Sequence, residues 1–112
     1  MRHYLRTLFI PGLLLAATGI FGSGCAFGPG PAGPLEQIRG WESEIDQNVV
    51  AISGGGECPD RCRAAESICD CAERICQVAR DLAELDALES CHRAEEHCHE
   101  AQRRVAESCT CE

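Results

Sequence analysis

The sequence predicts an all-α protein in which one N-terminal amphipathic helix precedes an antiparallel helical hairpin cross-linked by a ladder of disulfides. Three observations support this fold class. Apolar residues recur at steps of three and four in three segments. Cysteines recur at intervals of seven within two of those segments, and no segment alternates apolar and polar residues as a half-buried strand does.

The first predicted helix spans residues 35–53. Pro34 is favourable at its start, because the N–H that proline lacks has no hydrogen-bond partner in the first turn of a helix. Glu36 is favourable there because its negative charge lies near the positive end of the helix dipole. A glycine-rich loop at 54–58 ends the helix. One face carries the apolar residues that we interpret as core, namely Leu35, Ile38, Trp41, Ile45, Val49 and Ile52.

Residues 59–112 form the predicted cysteine-rich hairpin, with helices over about 59–82 and 87–108. Asp86 and Glu89 have the D-x-x-E spacing of a capping box at the start of the second of these helices. Because the connection between the two helices is short, we expect them to pack antiparallel.

Cysteine spacing predicts the pairing within this hairpin. In an antiparallel hairpin the residue numbers of facing positions add up to a constant, and residues seven apart lie on one helical face. Three cysteine pairs share the sum 167. The sequence therefore predicts the disulfides Cys76–Cys91 and Cys69–Cys98 as two rungs of a ladder, and the pair Cys58 and Cys109 agrees with the same register.

Small residues flank this ladder, which is required because a disulfide brings two Cα atoms closer than helices usually pack. They are Ala65, Ala72, Ala79, Ala94 and Ala101. A second apolar stripe offers a surface on which the first helix can dock, the alternative being a helix that projects as a stalk. That stripe consists of Ile68, Ile75, Leu82, Leu88 and Val105.

The open end of the hairpin leaves two alternatives. Cys62 faces Val105 in the predicted register, so its partner is Cys109 or Cys111. The pairs 58–111 and 62–109 nest more easily, whereas 58–109 and 62–111 agree better with the constant sum. Cys71 lies roughly opposite the ladder and is predicted to be a free thiol, half-buried toward the first helix or available to a partner chain.

Residues 1–24 have the layout of a secretory signal peptide, with Arg2 and Arg6 before an apolar run of about 14 residues. Ser23 and Gly24 before Cys25 resemble the bacterial lipobox, although Gly22 stands where a leucine is usual. The resemblance implies cleavage between Gly24 and Cys25, diacylglycerol on the Cys25 thiol and acylation of its new amine. Residues 25–34 then comprise the lipidated cysteine and a Gly/Pro linker, as their composition indicates. The alternative is an ordinary signal peptide with an incidental cysteine.

The net charge of the chain indicates which classes of binding partner are unfavourable. All 18 acidic residues and eight of the ten basic residues follow Gly24, so that part of the chain carries a net charge of −10. This charge disfavours nucleic acid and anionic lipid surfaces as partners. The 88 residues after Gly24 contain only two aromatic side chains, and so small a domain commonly relies on disulfides, which form in exported proteins.

Three histidines near the hairpin cysteines raise the alternative of a copper or zinc site, because imidazoles and thiolates bind both metals. They are His92, His97 and His99, of which the first and last share a helix face turned away from the cysteines. The two C-x-C pairs, at 69–71 and 109–111, are interpreted as structural. We find no constellation of catalytic residues and predict neither enzymatic activity nor a cofactor.

The cysteine pattern C-x3-C-x6-C-x-C-x4-C, followed by C-x6-C and a terminal C-x-C, covers about residues 58–111. It resembles small cysteine-rich helical lipoproteins predicted in myxobacteria and their relatives, and it differs from the twin C-x9-C hairpins of mitochondria. The resemblance implies a fold and a location at the cell envelope, but it supplies no information about chemistry.

These features together predict a lipid-anchored protein of the bacterial cell envelope with a structural or protein-interaction role. Ala26, where an acidic residue would favour the inner membrane, indicates the outer membrane by analogy with enterobacterial sorting. The lipid supplies the contact with the membrane. A protein partner or a second copy is expected to dock on one stripe of the first helix, if that stripe is exposed: Leu35, Ile38, Ile45 and Val49.

Overall fold

The computed structural model describes Cys25 and residues 33–112, and that part of the chain contains three α-helices and no strand. Helix α1 spans Pro34–Ser53, α2 spans Cys58–Leu82 and α3 spans Leu85–Ser108. The all-α fold class is therefore confirmed. The predicted signal peptide and most of the predicted linker lie outside the described residues.

Helix α1 begins and ends at the residues that the sequence favours for these places. Pro34 occupies its first turn, and the Gln37 N–H donates to the Gly33 carbonyl over 2.9 Å. At the other end the Gly54 N–H donates to the Val50 carbonyl, also over 2.9 Å. Gly55 follows with a φ of +79°, a left-handed conformation that glycine adopts without steric cost and that turns the chain toward α2.

The turn between α2 and α3 is tighter than the sequence predicts. Ala83 adopts the left-handed conformation (φ 57°) that commonly ends a helix, and its N–H donates to the Ala79 carbonyl. Helix α3 can then start at Leu85, with Glu84 as its N-cap residue. The predicted capping box of Asp86 and Glu89 is therefore wrong, because Asp86 already lies inside the first turn and no side chain caps the helix.

Helix α1 packs along the hairpin and does not project as a stalk. An Arg93 guanidinium N–H donates to the Glu42 carboxylate over 3.1 Å, and an Arg104 N–H donates to the Ser53 hydroxyl over 3.2 Å. Both pairs join positions 51 residues apart, so α1 and α3 run in the same direction. Because α2 and α3 are antiparallel, α1 runs antiparallel to α2.

The core lies where the three helices meet. Helix α1 contributes Ile38, Trp41, Ile45 and Ile52, which confirms the core position of Trp41 and most of the predicted apolar face. Val49 is only partly buried, and Leu35 is 41% exposed and does not belong to the core. From the predicted docking stripe, Ile68, Ile75 and Val105 are buried, but Leu88 is 39% exposed. Each large aliphatic side chain buried in this way contributes about 1.5–3 kcal/mol to folding.

None of the three helices carries a stretch long and apolar enough to cross a membrane.

Candidate functional site

Disulfides are the dominant chemical feature of the molecule, since all ten cysteines are paired. Cys76–Cys91 and Cys69–Cys98 join the facing middles of α2 and α3, each with a Cα–Cα distance of 4.6 Å. Both predicted rungs of the ladder are confirmed.

The five alanines that flank the ladder explain how two helices come so close. Axes of packed helices usually lie 8–10 Å apart, a separation set by the side chains between them. Each of the five alanines is buried, from Ala79 at 0% exposed to Ala65 at 6%. A larger side chain at these positions would force the helices apart and oppose the short Cα–Cα distances of the disulfides.

The open end of the hairpin follows the helical register. Cys58 pairs with Cys109 and Cys62 with Cys111, with Cα–Cα distances of 5.5 and 5.7 Å. Of the two alternatives left by the sequence, the pairing that agrees with the constant sum is therefore the one that forms. Helix α3 ends at Ser108, so Cys111 lies on an extended segment that can turn back to Cys62.

Arg61 holds this extended segment in place, a role that the sequence does not predict. Its Nη1 donates to the Ser108 hydroxyl over 2.8 Å and lies 3.6 Å from Cys109 Sγ. Its Nε atom is buried without a hydrogen-bond partner. The only sequence signal for this role is an arginine next to Cys62 and one turn after Cys58, which is too common a pattern to be informative.

The fifth disulfide, Cys25–Cys71, corrects the prediction that Cys71 is a free thiol. The two Cα atoms lie 5.0 Å apart, and Cys25 and Cys71 are 1% and 0% exposed. Cys71 does lie opposite the ladder, facing α1, but Cys25 is bonded to it there. Assigning Cys25 to a lipid leaves nine cysteines and hence one without a partner, whereas the even total of ten favours a fifth bond.

This bond also conflicts with lipid on Cys25 in the same molecule. A thioether and a disulfide both use the single Sγ atom, so one chain can form only one of them. The buried position of Cys25 beside α1 and α2 leaves no room for a diacylglycerol group there.

Two carboxylates lie beside the disulfides. Glu44 has a carboxylate oxygen within 4.8 Å of both sulfurs of Cys25–Cys71. Glu95 likewise has a carboxylate oxygen within 4.8 Å of both sulfurs of Cys76–Cys91. Two sulfurs and a carboxylate form a ligand set suited to a soft divalent metal. While the disulfides are intact, these sulfurs are not thiolates and do not coordinate a metal in that way.

The three histidines are not brought together. All of them are exposed, and the His92 ring lies 3.3 Å from the Glu96 carboxylate. His97 lines a shallow depression between α1 and α3, where Glu42 and Asp46 also lie. Within the described residues, no group of three metal-ligating side chains in mutual reach includes a histidine.

Neither C-x-C pair forms a bond between its own two cysteines. Cys69 and Cys71 project from α2 toward different helices and bind Cys98 and Cys25. Cys109 and Cys111 both bind residues in the first turns of α2. These pairs therefore have the structural role that the sequence predicts.

Charged side chains cover the outside of α3. Glu100 accepts hydrogen bonds from Arg103 over 2.7 Å and from Arg104 over 3.1 Å. The hydrogen bond from Arg103 is the main cause that lowers the pKa of Glu100 below its usual value of 4.5, and it raises the pKa of Arg103 in turn.

No protein-family model, curated protein or solved structure matches this chain.

Proposed function

We propose that the chain is an exported helical domain of the bacterial cell envelope with a structural or protein-binding role and no catalytic activity. The observation that carries this proposal is the set of five disulfides in one small three-helix domain. Such bonds persist outside the cytosol, where thiols are not kept reduced. The signal-peptide pattern of residues 1–24 points to the same compartment.

A structural or binding role agrees with what the surface offers. The described residues contain no enclosed catalytic pocket with a nucleophile and a base, and their reactive sulfurs are all bonded. A rigid domain stabilised by cross-links is instead suited to keeping its shape in an oxidising compartment outside the cytosol. The outer membrane and an acyl anchor at Cys25 belong to the same proposal, for chains in which Cys25 is not bonded to Cys71.

Cell fractionation tests the compartment. The chain with its own N-terminus, expressed in a bacterial host, should be found outside the cytoplasm and should react with a thiol-alkylating reagent mainly after reduction. A variant that starts at residue 25, with an added initiator Met, is the matched control and should stay in the cytoplasm with alkylatable thiols. Recovery of the full chain in the cytoplasm with reduced cysteines would refute the proposal.

Exposed leucines favour one end of the molecule as the binding surface. Leu85 and Leu88 lie in the first turns of α3, Leu35 lies in the first turn of α1, and all three are at least 39% exposed. Because α1 and α3 run in the same direction, these side chains share one end. By contrast, Ile38 and Ile45 of the predicted docking stripe are buried within the chain, and Val49 packs against the core.

A photo-crosslinking residue tests this surface in intact cells. Placed at Leu85, it should give a discrete adduct with a protein or with a second copy of the chain. Placed at Val50, which is 69% exposed in the last turn of α1 at the other end, it should not. Equal adducts from both positions would contradict a specific surface at the leucine end.

Copper or zinc binding remains the alternative proposal, with weaker support. The histidines are exposed and apart, and the sulfurs that neighbour Glu44 and Glu95 are in disulfides. Calorimetric titration of the oxidised domain with Cu(I) and Zn²⁺ tests it, with the fully reduced domain as the comparison. Saturable binding to the oxidised domain that is lost when the three histidines are changed to Gln would favour the alternative.

A further inference from the structure

We infer that Cys25 has two competing covalent fates, a disulfide with Cys71 and a thioether with a diacylglycerol, and that Cys71 sets the share of chains without lipid. The inference rests on the proposed export of the chain. Two independent observations about the sulfur atom of Cys25 support it. The sequence before Cys25 resembles a lipid-acceptor site, and in the structure the same sulfur forms a buried disulfide.

The two reactions consume the same thiol. In the first, Cys25 and Cys71 together lose two protons and two electrons to a disulfide donor, which becomes a dithiol. In the second, Cys25 Sγ forms a bond to the glycerol carbon of a phospholipid, the bond from that carbon to the headgroup phosphate breaks, and the thiol proton is released. A thioether does not take part in thiol–disulfide exchange, so a chain that has received lipid cannot later form the bond to Cys71.

The structure shows why Cys71 competes for this thiol. Cys71 is fully buried on the side of α2 that faces away from the ladder. All eight other cysteines pair among themselves across the α2–α3 hairpin. Cys25 is therefore its one partner in the folded domain. Folding of the hairpin and docking of α1 place the two sulfurs in contact, which favours the disulfide as soon as the domain has formed.

The order of synthesis gives lipidation the earlier opportunity. Cys71 follows Cys25 by 46 residues. Where export accompanies synthesis at about 5–20 residues per second, Cys71 emerges about 2–9 s after Cys25. Folding of the domain must then precede the bond, whereas the lipid donor in the membrane is available from the start. Chains that escape lipidation in this interval receive the fifth disulfide.

The disulfide form and the lipid form differ in their number of free thiols. The disulfide form has no thiol, because all ten cysteines are bonded. The lipid form has four disulfides and one thiol, Cys71, which reacts with an alkylating reagent only once the domain is denatured. Mass spectrometry of the exported chain, alkylated in denaturant without reduction, therefore reports the two forms separately. The peptide that contains Cys25 carries either a lipid or a cross-link to the Cys71 peptide.

Removal of Cys71 is the decisive experiment. The full chain is expressed in a bacterial host as the wild type, as Cys71→Ala, and as a Cys69→Ala/Cys98→Ala control that loses one ladder bond but keeps Cys25 and Cys71. The wild type should give both forms of the Cys25 peptide. In Cys71→Ala the cross-linked share should fall to zero and be recovered as lipid-bearing peptide. The control should keep both forms.

Detection of the lipid does not depend on whether a variant folds, since lipid can be added before the domain has formed and is detected on a peptide. Cys25→Ser provides a second check, because it should leave Cys71 as an alkylatable thiol with no new partner. The inference is overturned if every exported wild-type chain carries lipid and a free Cys71, or if none carries lipid and Cys71→Ala leaves Cys25 as a bare thiol. Failure of export itself would show as reduced chains in the cytoplasm, which separates it from these outcomes.

Discussion

At the scale of single residues, the position of Glu44 beside Cys25–Cys71 has a chemical consequence. Its carboxylate lies within 4.8 Å of both sulfurs and is half-buried against the core. Reduction of a disulfide expels one sulfur as a thiolate, and a nearby negative charge opposes that step. At this separation the repulsion amounts to about 1 kcal/mol even at the dielectric constant of water.

Glu44→Gln should therefore make Cys25–Cys71 easier to reduce. We expect reduction by a small dithiol to be about fivefold faster, because the amide removes the roughly 1 kcal/mol of repulsion. The rate is measured as the appearance of alkylated Cys71 by mass spectrometry. Glu95→Gln, beside the Cys76–Cys91 bond, is the matched control and should leave the Cys25–Cys71 rate unchanged. An equal effect of both substitutions would indicate a general loss of stability instead.

Glu100 gives a residue-scale prediction with a defined pH dependence. Its hydrogen bond to Arg103 lowers the pKa of the folded-state carboxyl below 4.5. The stabilisation from this pair is therefore fully present above about pH 4.5, and it is lost as the pH falls through the lowered folded-state pKa. The side chains are exposed, so the effect is small and weakens further with added salt.

Arg103→Gln should raise the pKa of Glu100 toward its usual value, as followed by NMR titration of the carboxyl carbon. Arg63→Gln, on α2 and paired with Asp60, removes the same charge elsewhere and should leave the Glu100 titration in place. If the titration of Glu100 is the same in wild type and Arg103→Gln, the hydrogen bond is not the cause of the lowered pKa.

At the scale of the elements, the close approach of α2 and α3 depends on alanines as much as on cysteines. Ala79 is fully buried and lies one turn after Cys76 on α2. We expect Ala79→Leu to lower the free energy of unfolding by about 1–3 kcal/mol, since extra methylenes in a packed contact force the helices apart. Non-reduced peptide mapping should also show slower formation of Cys76–Cys91 during refolding.

The control for this substitution is Ala51→Leu, at an exposed position of α1, which should change the stability by less than about 0.5 kcal/mol. Chemical denaturation of the oxidised variants measures both effects. A destabilisation of similar size at the two positions would show that leucine perturbs the helices generally, and that the alanine contact is not the reason for it.

Some features of the helices and their disulfides can be predicted from the sequence, and others cannot. The three helices and the ladder follow from periodicity, because a helical period and an antiparallel register together place each cysteine. The start of α3 does not, since the left-handed turn at Ala83 carries no glycine to mark it. The Cys25–Cys71 bond cannot be predicted in this way either, because it joins α2 to a part of the chain whose sequence has no periodic pattern. The residues before Cys25 also resemble a lipidation motif, which favours a different role for that cysteine.

At the scale of the whole molecule, the cross-links are distributed unevenly. Four of the five disulfides join α2 to α3 or to the segment after it, and the fifth binds the segment before α1. No cysteine lies within α1 itself. Helix α1 is thus held by four buried side chains and by polar contacts of half-exposed groups such as Arg93 and Glu42, which contribute little. Helix α2 buries nine residues and is cross-linked along its length.

Helix α1 should therefore open independently of the hairpin. Native-state hydrogen exchange should show amide protons near Ile45 exchanging at least tenfold faster than those near Ile75, because local opening of α1 breaks no covalent bond and exposes fewer apolar groups. Ile45→Ala, which removes a core side chain at a cost of about 2–5 kcal/mol, should speed exchange in α1 while leaving the slowest α2 and α3 amides nearly unchanged. Equal protection of all three helices, with every amide accelerated together by Ile45→Ala, would show that the molecule opens only as one cooperative unit and that docking of α1 is inseparable from the hairpin.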